Sequence, residues 1–295
     1  MRPIDEKTKK EFERLKIGLN DDIYDKYLNG LLTFNNLSKI LKVKVSYLRY
    51  YFERNNIKYR QTVLKETTKH NFFEKIDNEL TAYILGYFYA DGSIDLNNNR
   101  ISISQTEKDA YILKLVKNYI GPYYKITHGS YKKNNKNGYV SKPMMCITIH
   151  SEKIISDLEK YDITECKTYK PLKNIDFISD DLKIHFIRGY FDGDGTVYSG
   201  IVNKKYTLKN GVIKNCQYRN YNWNIISHNK EHLVLIQTYL TKMYKIKSNV
   251  INDTKNNFLL SITSKKEFKK MRNALYENAK YFLPRKKEKY MAIPC

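Results

Sequence analysis

ILGYFYADG occupies residues 84–92 and IRGYFDGDG residues 187–195, so the chain spells nearly the same nine letters twice, each time ending an apolar run in Asp-Gly. A single Asp-Gly is an everyday turn dipeptide. Two copies in the same setting need a shared cause. Within each copy the small residues recur at helical spacing, Gly86 with Ala90 and Gly189 with Gly193. Small residues at i and i+4 lay a flat stripe along a helix, and two such stripes let backbones approach closer than the usual spacing of about 8–10 Å. The pair therefore predicts two helices packed stripe to stripe. That contact brings Asp91 and Asp194 side by side at the helix C-terminal ends, with Gly92 and Gly195 expected as left-handed terminating residues.

Such an arrangement costs stability. A carboxylate at a helix C-terminus faces the negative end of the macrodipole, an unfavourable term of roughly 0.3–1 kcal/mol each. The two acids also repel each other. Bound divalent cations offset both penalties, and hard oxygen ligands suit Mg²⁺ in particular.

The segments after each copy repeat as well. After the first come a hairpin turning at DLNNN (residues 95–99), the strand RISISQ, the helix EKDAYILKLVKNYI, a basic Tyr-rich stretch turning at Asn137-Gly138, the strand MMCITIH and the helix SEKIISDLEKYDI. After the second come a longer hairpin turning at Asn210-Gly211, the strand WNIISH, the helix NKEHLVLIQTYLTKMY, the strands IKSNVIND and NNFLLSIT, and the helix SKKEFKKMRNALYENA. ITIHSEKIISDLEKY also pairs with LSITSKKEFKKMRNALY, which supports a duplication independently of the motifs. The fold class expected is α+β: two αββαββα halves related by pseudo-symmetry, residues 76–175 and 176–295, each with a four-stranded antiparallel sheet.

The first 60 residues read differently, as short helices forming a small all-α domain. One helix is expected from Asp21 or Asp22 to a Gly30 stop, a second near residues 35–41 and a third from about residue 45 to 54. Leu37, Ile40, Leu41, Val43, Leu48 and Phe52 fall where a helix-turn-helix unit needs its core. The turn has Lys42 where such units usually carry Gly. On this reading Lys44, Ser46, Tyr47, Arg49 and Tyr50 form the outer, DNA-facing side of a recognition helix. Residues 61–75, polar and without pattern, read as a linker.

Lys plus Arg outnumber Asp plus Glu by 53 to 31, giving +22. An excess of that size repels itself unless a polyanion neutralises part of it, which makes nucleic acid the expected partner. The 27 tyrosines suit such a surface, since the ring stacks on bases and sugars while the hydroxyl reaches phosphate. An AT-rich coding sequence would also raise Tyr, Lys, Asn and Ile together, but the charge remains. Cys146, Cys166, Cys216 and Cys295 have no zinc-ligand spacing and read as reduced thiols. The N-terminal residues lack a secretory or transit pattern, and no stretch approaches the ~18 apolar residues of a membrane span. These features lead us to expect a cytoplasm-like compartment, with no membrane partner.

Other metal readings fail on residue type. YFDGDG as a calcium loop would need an acid first and Glu twelfth, where Tyr190 and Ile201 stand. His228 and His232 have i,i+4 spacing but no third ligand, so they read as ordinary polar residues.

The paired motifs, their spacing, the strand and helix order after them and the charge together resemble the LAGLIDADG homing endonucleases, in the form where two fused halves imitate a dimer. The resemblance covers residues ~76 to 295. It departs from the family at Tyr89, which stands where the family has its first Asp; Asp192 keeps that residue. The resemblance implies a DNA endonuclease, monomeric with an internal pseudo-dimer, whose sheets form a saddle over double-stranded DNA. Asp91 and Asp194 would then hold Mg²⁺, with Mn²⁺ as the alternative, and one acid per half means one cut per strand. It further implies a polar residue at the end of the strand after each motif hairpin, which Gln105 supplies. Ser227, with His228 beside it, is the less typical counterpart. A basic residue near each site completes the set, Lys286 in one half and Lys167 in the other. Arg100, Lys132, Lys133, Lys204, Lys205, Lys214 and Arg219 are the candidate DNA contacts of the sheets. An intron RNA maturase or a DNA-binding regulator without the chemistry are the alternatives, and both make the acidic pair dispensable.

Overall fold

The computed structural model describes residues 4–129, 132–133, 140–141, 143–167, 169–170, 172–207, 211–254 and 257–295. The turn at Asn137-Gly138, residue Asn210 and the side chains of Lys132 and Lys133 lie outside the described residues. By compactness the chain divides into one unit of residues 1–69 with 113–149 and another of residues 70–112 with 150–295.

Five helices open the first unit: α1 (Glu6–Gly18), α2 (Asp21–Leu28), α3 (Phe34–Ile40), α4 (Val45–Arg54) and α5 (Arg60–Thr67). Side chains set the starts of the first three, with Asp5 accepting from the Thr8 amide, Asn20 from Ile23, and Thr33 with Asn36 forming a reciprocal capping box. Gly30 ends the second helix turn in a left-handed conformation (φ 72°). Lys42 does the same between α3 and α4 at φ 53°, so the tight turn forms without the glycine that usually makes it inexpensive. Leu37, Leu41, Val43, Leu48 and Phe52 are buried together with Leu15, Leu28 and Val63. Ile40 is not part of this core: it is 49% exposed, because Leu37 and Leu41, four residues apart, already fill the inner face of a two-turn helix. The stretch read as a linker contains α5. Its Val63 enters the same cluster, and Arg60 Nε donates to the Leu28 carbonyl over 2.9 Å.

The first repeat runs α6 (Glu79–Asp91), β1 (Gly92–Asp95), β2 (Arg100–Thr106), a 3₁₀ turn (Glu107–Asp109), α7 (Tyr111–Tyr119), β3 (Thr127–His128), β4 (Lys132–Lys133), β5 (Val140–Ser141), β6 (Met144–His150) and α8 (Glu152–Lys160). The second runs α9 (Lys183–Asp194), β7 (Gly195–Thr207), β8 (Ile213–Ser227), α10 (Lys230–Tyr244), β9 (Asn249–Thr254), β10 (Asn257–Ile262), α11 (Lys265–Tyr276) and α12 (Pro284–Met291). The two four-stranded antiparallel sheets have the orders β1-β2-β6-β3 and β7-β8-β10-β9, the same topology twice. Beyond the expected pattern stand a small β4-β5 ladder in the first repeat and the added helix α12 in the second.

Register shows how closely the copies correspond. Gly92 pairs with Ile103, and Gly195 with Ile225. Counting two residues on from each partner reaches Gln105 in one half and Ser227 in the other. In the second sheet the odd residues Val197, Tyr221, Trp223 and Ile225 are buried. Because side chains alternate along a strand, the even positions Thr196, Tyr198, Lys204, Lys214, Asn222 and Asn224 share the opposite face. Lys205 and Arg219 have odd numbers and belong to the helix-covered side, continued beyond the edge of the core, so they do not share a face with Lys204 and Lys214. In the first sheet, Arg100 emerges beside Asp95, its cross-strand partner, and forms an ion pair with it at 2.7 Å.

Helices α6 and α9 meet through their glycines. A methyl added at Gly86 would lie 2.0 Å from the Phe186 carbonyl oxygen, and one at Gly189 would lie 2.1 Å from that of Tyr83. A methyl at Gly193 would lie 2.3 Å from the Ala90 Cβ and 3.1 Å from Asp91 Oδ2. The motif's terminal glycines are needed for a different reason from the one expected. Gly92 (φ −76°, ψ 154°) and Gly195 (φ −83°, ψ 158°) are extended, so each starts a strand directly rather than ending the helix in a left-handed turn. What excludes a side chain is space: a Cβ would lie 2.2 Å from the Phe88 ring at Gly92, and 2.1 Å from the Phe191 ring at Gly195. No described helix is long and apolar enough to cross a membrane.

Candidate active site

Helices α6 and α9 end at Asp91 and Asp194, and the close glycine packing puts the Asp91 carboxylate beside the last turn of α9. Burial pushes the Asp194 carboxyl up to about 6, and the neighbouring Asp91 charge adds to the rise; Lys167 and Lys286 oppose it. Burial also raises Asp91, against the hydrogen bond from Gln105, the charges of Lys286 and Lys167 and a hydrogen bond from Tyr87. The two acids are thus held as a strained pair.

Gln105, buried at the end of β2, donates from Nε2 to Asp91 Oδ2 over 2.7 Å. Ser227 occupies the matching place at the end of β8, but its hydroxyl accepts the Asn229 amide over 3.0 Å and hydrogen-bonds with Tyr190. The two halves therefore support their acids differently. Tyr87 and Tyr190, each four residues before its acid, show the same divergence. Tyr87 bonds Asp91, while Tyr190 donates to the Ile226 carbonyl over 3.2 Å. Sequence reading passed over both tyrosines, although Gly-Tyr-Phe stands in both copies of the motif.

Both lysines come to the helix ends. Lys167 Nζ donates to the Ala90 carbonyl over 3.0 Å. Lys286, 7% exposed, donates to the carbonyls of Phe191 (2.6 Å), Gly193 (3.1 Å) and Gly195 (2.6 Å). Ala90 and Gly193 each immediately precede the acid of their helix, so the two ammonium groups sit at equivalent points. Cations at helix C-termini are favourable. Here they counter the macrodipole and the carboxylate repulsion together, which is how the chain tolerates acids where stability alone would exclude them. Burial lowers both ammonium groups, Lys286 to about 8, against the attraction of nearby carboxylates. With its three N–H bonds all directed at carbonyls, Lys286 serves as a fixed positive charge.

Asp192 has a separate role. It is fully buried and accepts from Tyr276 (2.6 Å), Tyr83 (2.9 Å) and the Leu283 amide (2.7 Å). Its oxygens are consumed by α6, α11 and the entry to α12, so it organises the interior rather than facing a ligand. Tyr89, its counterpart, packs beside Tyr190, with ring centroids 5.4 Å apart. His232, buried against the same two rings and lowered to about 3 by burial, is neutral. His228 is exposed, so the two histidines do not converge. A cavity of about 330 Å³ opens beside Asp194, Lys167, Ser227 and His228. Among the described residues there is no cluster of three or more His, Cys, Asp or Glu side chains able to hold a metal ion. The donor set is two carboxylates with helix-end carbonyls around them, which matches the one or two protein carboxylates that Mg²⁺ usually takes alongside water.

On the helical unit, Lys44, Ser46 and Arg49 are exposed and Tyr47 is half-buried. Tyr50 is partly engaged by the Phe12 ring at 5.4 Å and by the Arg54 guanidinium.

Residues 78–161 match the LAGLIDADG-like domain family. No curated protein matches the chain by sequence. Among solved structures, the homing endonuclease I-WcaI bound to its DNA recognition sequence is 16% identical with a TM-score of 0.50, over 78% of this chain and 91% of that one. The I-LtrWI LAGLIDADG homing endonuclease bound to target DNA is 14% identical with a TM-score of 0.45, over 72% and 87%. The N-terminal LAGLIDADG domain of DUF199/WhiA is 18% identical with a TM-score of 0.39, over 68% and 83%.

Proposed function

We propose that this chain, in which residues 78–161 carry a LAGLIDADG-like domain and whose fold is shared with I-WcaI, is a metal-dependent homing-type DNA endonuclease. It makes a staggered double-strand break at a long, asymmetric site. The observation that carries this reading is the pair of acids, Asp91 and Asp194, placed at equivalent helix ends, each with a lysine at the carbonyl just before it, Lys167 half-buried and Lys286 buried. A fold that only bound DNA would have no use for so costly a pair.

Asp91 and Asp194 would hold Mg²⁺, with Mn²⁺ as the alternative. Such an ion, when bound, stabilises charge on the attacked phosphate and lowers the pKa of bound water. The remaining work falls to the chain's own groups. Gln105, through Oδ2, and Tyr87 fix the rotamer of Asp91. Lys167 and Lys286 add positive charge where negative charge develops. Thr196, Asn222, Asn224 and their row on the second sheet supply polar groups for base edges, and Lys204 and Lys214 on the same face contact phosphates. The outer face of α4, with Lys44, Ser46, Tyr47 and Arg49, extends the contact as the recognition helix of a helix-turn-helix unit. The protein acts as a monomer with an internal pseudo-dimer.

The test is cleavage of a randomised duplex library in Mg²⁺ by wild type, Asp91→Asn and Asp194→Asn. Wild type is expected to select and cut one site family, and each variant to bind that site but lose cleavage. Binding without any cut by wild type would assign the chain to the regulators instead. Preferential binding of structured intron RNA over duplex DNA would assign it to the maturases.

A further inference from the structure

Lys286 is held in place from the other half of the pseudo-dimer. Arg285 precedes it on the first turn of α12 and forms a two-pronged pair with Asp109 of the first repeat, Nε to Oδ1 at 2.9 Å and the second nitrogen to Oδ2 at 2.8 Å. Two residues earlier, the Leu283 amide is fixed by the buried Asp192. Pro284 stiffens the single residue between these anchors. Positions 283 and 285 are thus both pinned, and the Lys286 ammonium is delivered to the three carbonyls at the end of α9.

The pseudo-symmetry shows that this clamp works in one direction only. Asp109 lies four residues beyond Gln105, and the residue four beyond Ser227 is Glu231, which is exposed. The residue before Lys167 is Cys166, uncharged and exposed, so the matching pair cannot form. Among the described residues Lys167 meets a single carbonyl where Lys286 meets three.

We infer that Asp109 and Arg285 are positioning residues: through them the first repeat sets the geometry of the Lys286 side of the site, so that the cut of one DNA strand depends on the clamp and the cut of the other does not. The inference rests on the nuclease reading above. A planar guanidinium fork on a carboxylate fixes both distance and orientation, which a lysine in place of Arg285 cannot do.

The experiment measures separate cleavage rates of the two strands, using a duplex recovered from the library and labelled on each strand, with full-length wild type, Asp109→Asn, Arg285→Lys and the double variant. Asp109→Asn is expected to slow one strand roughly 10- to 100-fold, the scale of a displacement of about 1 Å at a reacting centre, and to leave the other near wild type. Nicked duplex then accumulates. Arg285→Lys is expected to fall between wild type and Asp109→Asn, and the double variant to be no worse than Asp109→Asn. The ratio of the two rates does not depend on how much enzyme is folded, so partial unfolding cannot imitate this result. Equal slowing of both strands, or an unchanged ratio, overturns the clamp while leaving the nuclease reading intact. A wild type that cuts neither strand overturns both.

Discussion

Replacing Gly189 by alanine sets two well-measured effects against each other. Alanine is a better helix former than glycine by roughly 1 kcal/mol, and the residue lies inside α9, so local propensity alone forecasts a more stable protein. The neighbours forecast the opposite. The new methyl would lie 2.1 Å from the Tyr83 carbonyl oxygen and 2.7 Å from the Tyr87 nitrogen, both backbone atoms of α6 that no rotamer change can move. Restoring an ordinary carbon–oxygen contact of about 3.2 Å or more requires the two helices to separate by roughly 1 Å. Overpacking a tight interface typically costs about 1–3 kcal/mol, and backbone on the receiving side places this case at the upper end. Subtracting the propensity gain leaves a net loss of roughly 1–2 kcal/mol, or a fall in melting temperature of about 2–4 °C for each kcal/mol.

The same displacement moves Asp194 relative to Asp91, because both stand at the ends of the two separating helices. Activity should therefore fall much further than stability, roughly 100-fold for a shift of about 1 Å. Thermal melts of wild type and Gly189→Ala, with cleavage rates measured well below both transitions, separate the two consequences. A variant that melts at or above wild type would refute the packing argument, since propensity would then have won.

Asp194 offers a pH test in chelator. Its folded pKa is raised to about 6, so between the ordinary carboxylate value and that point the folded state keeps a proton that the unfolded state has lost. Stability from this group is complete at low pH and is lost as pH rises to about 6, a drop of at most roughly 3 kcal/mol. Asp194→Asn should therefore match wild type near pH 4 and melt higher at neutral pH, and a gap that does not change with pH would refute this. Added Mg²⁺ should close the gap by stabilising wild type alone. On DNA, Lys204→Ala with Lys214→Ala should flatten the dependence of log affinity on log salt by about 2, whereas Lys205→Ala with Arg219→Ala should change it less. Equal effects would show that the strand face does not decide phosphate contact. Lys44→Ala with Arg49→Ala should weaken binding to the selected site without changing the cleavage rate at saturating enzyme; an unchanged affinity would exclude α4 from the interface.

Much of the architecture was legible because it is written in period and repetition. The stripes Gly86/Ala90 and Gly189/Gly193 forecast the close helix pair, and the strands and helices after each motif fell close to their expected bounds. Sequence misled where the same residue type has two physical uses. Gly92 and Gly195 look like left-handed helix stops, yet both are extended, and their side chains are excluded by the rings of Phe88 and Phe191, residues of the motif itself. Ile40 looked like core because apolar residues at i, i+3 and i+4 all fit a helical stripe; with α3 only seven residues long, Leu37 and Leu41 filled the inner face and left it out. α5 was hidden because a helix that buries one side chain, Val63, has almost no period to detect.

The candidate site divides in the same way. Asp91 and Asp194 stand in the motifs themselves, Gln105 and Lys286 follow from the family resemblance, and counting along the repeat placed Lys167 opposite Lys286. Counting could not supply the set of contacts that make the halves unequal. Tyr87 bonds its acid while Tyr190 turns to a carbonyl, Gln105 supports Asp91 while Ser227 turns to the chain beyond it, and Arg285 reaches Asp109 across 176 residues of sequence. Duplication makes two copies equal at the start, so every such difference is a later departure from symmetry. The asymmetric target proposed above would give the chain reason to accumulate those departures, and they lie in the support of the acids rather than in the acids themselves. On the proposed function the chemistry would be carried by the repeated residues, and the inequality between the two halves is carried by their unrepeated neighbours.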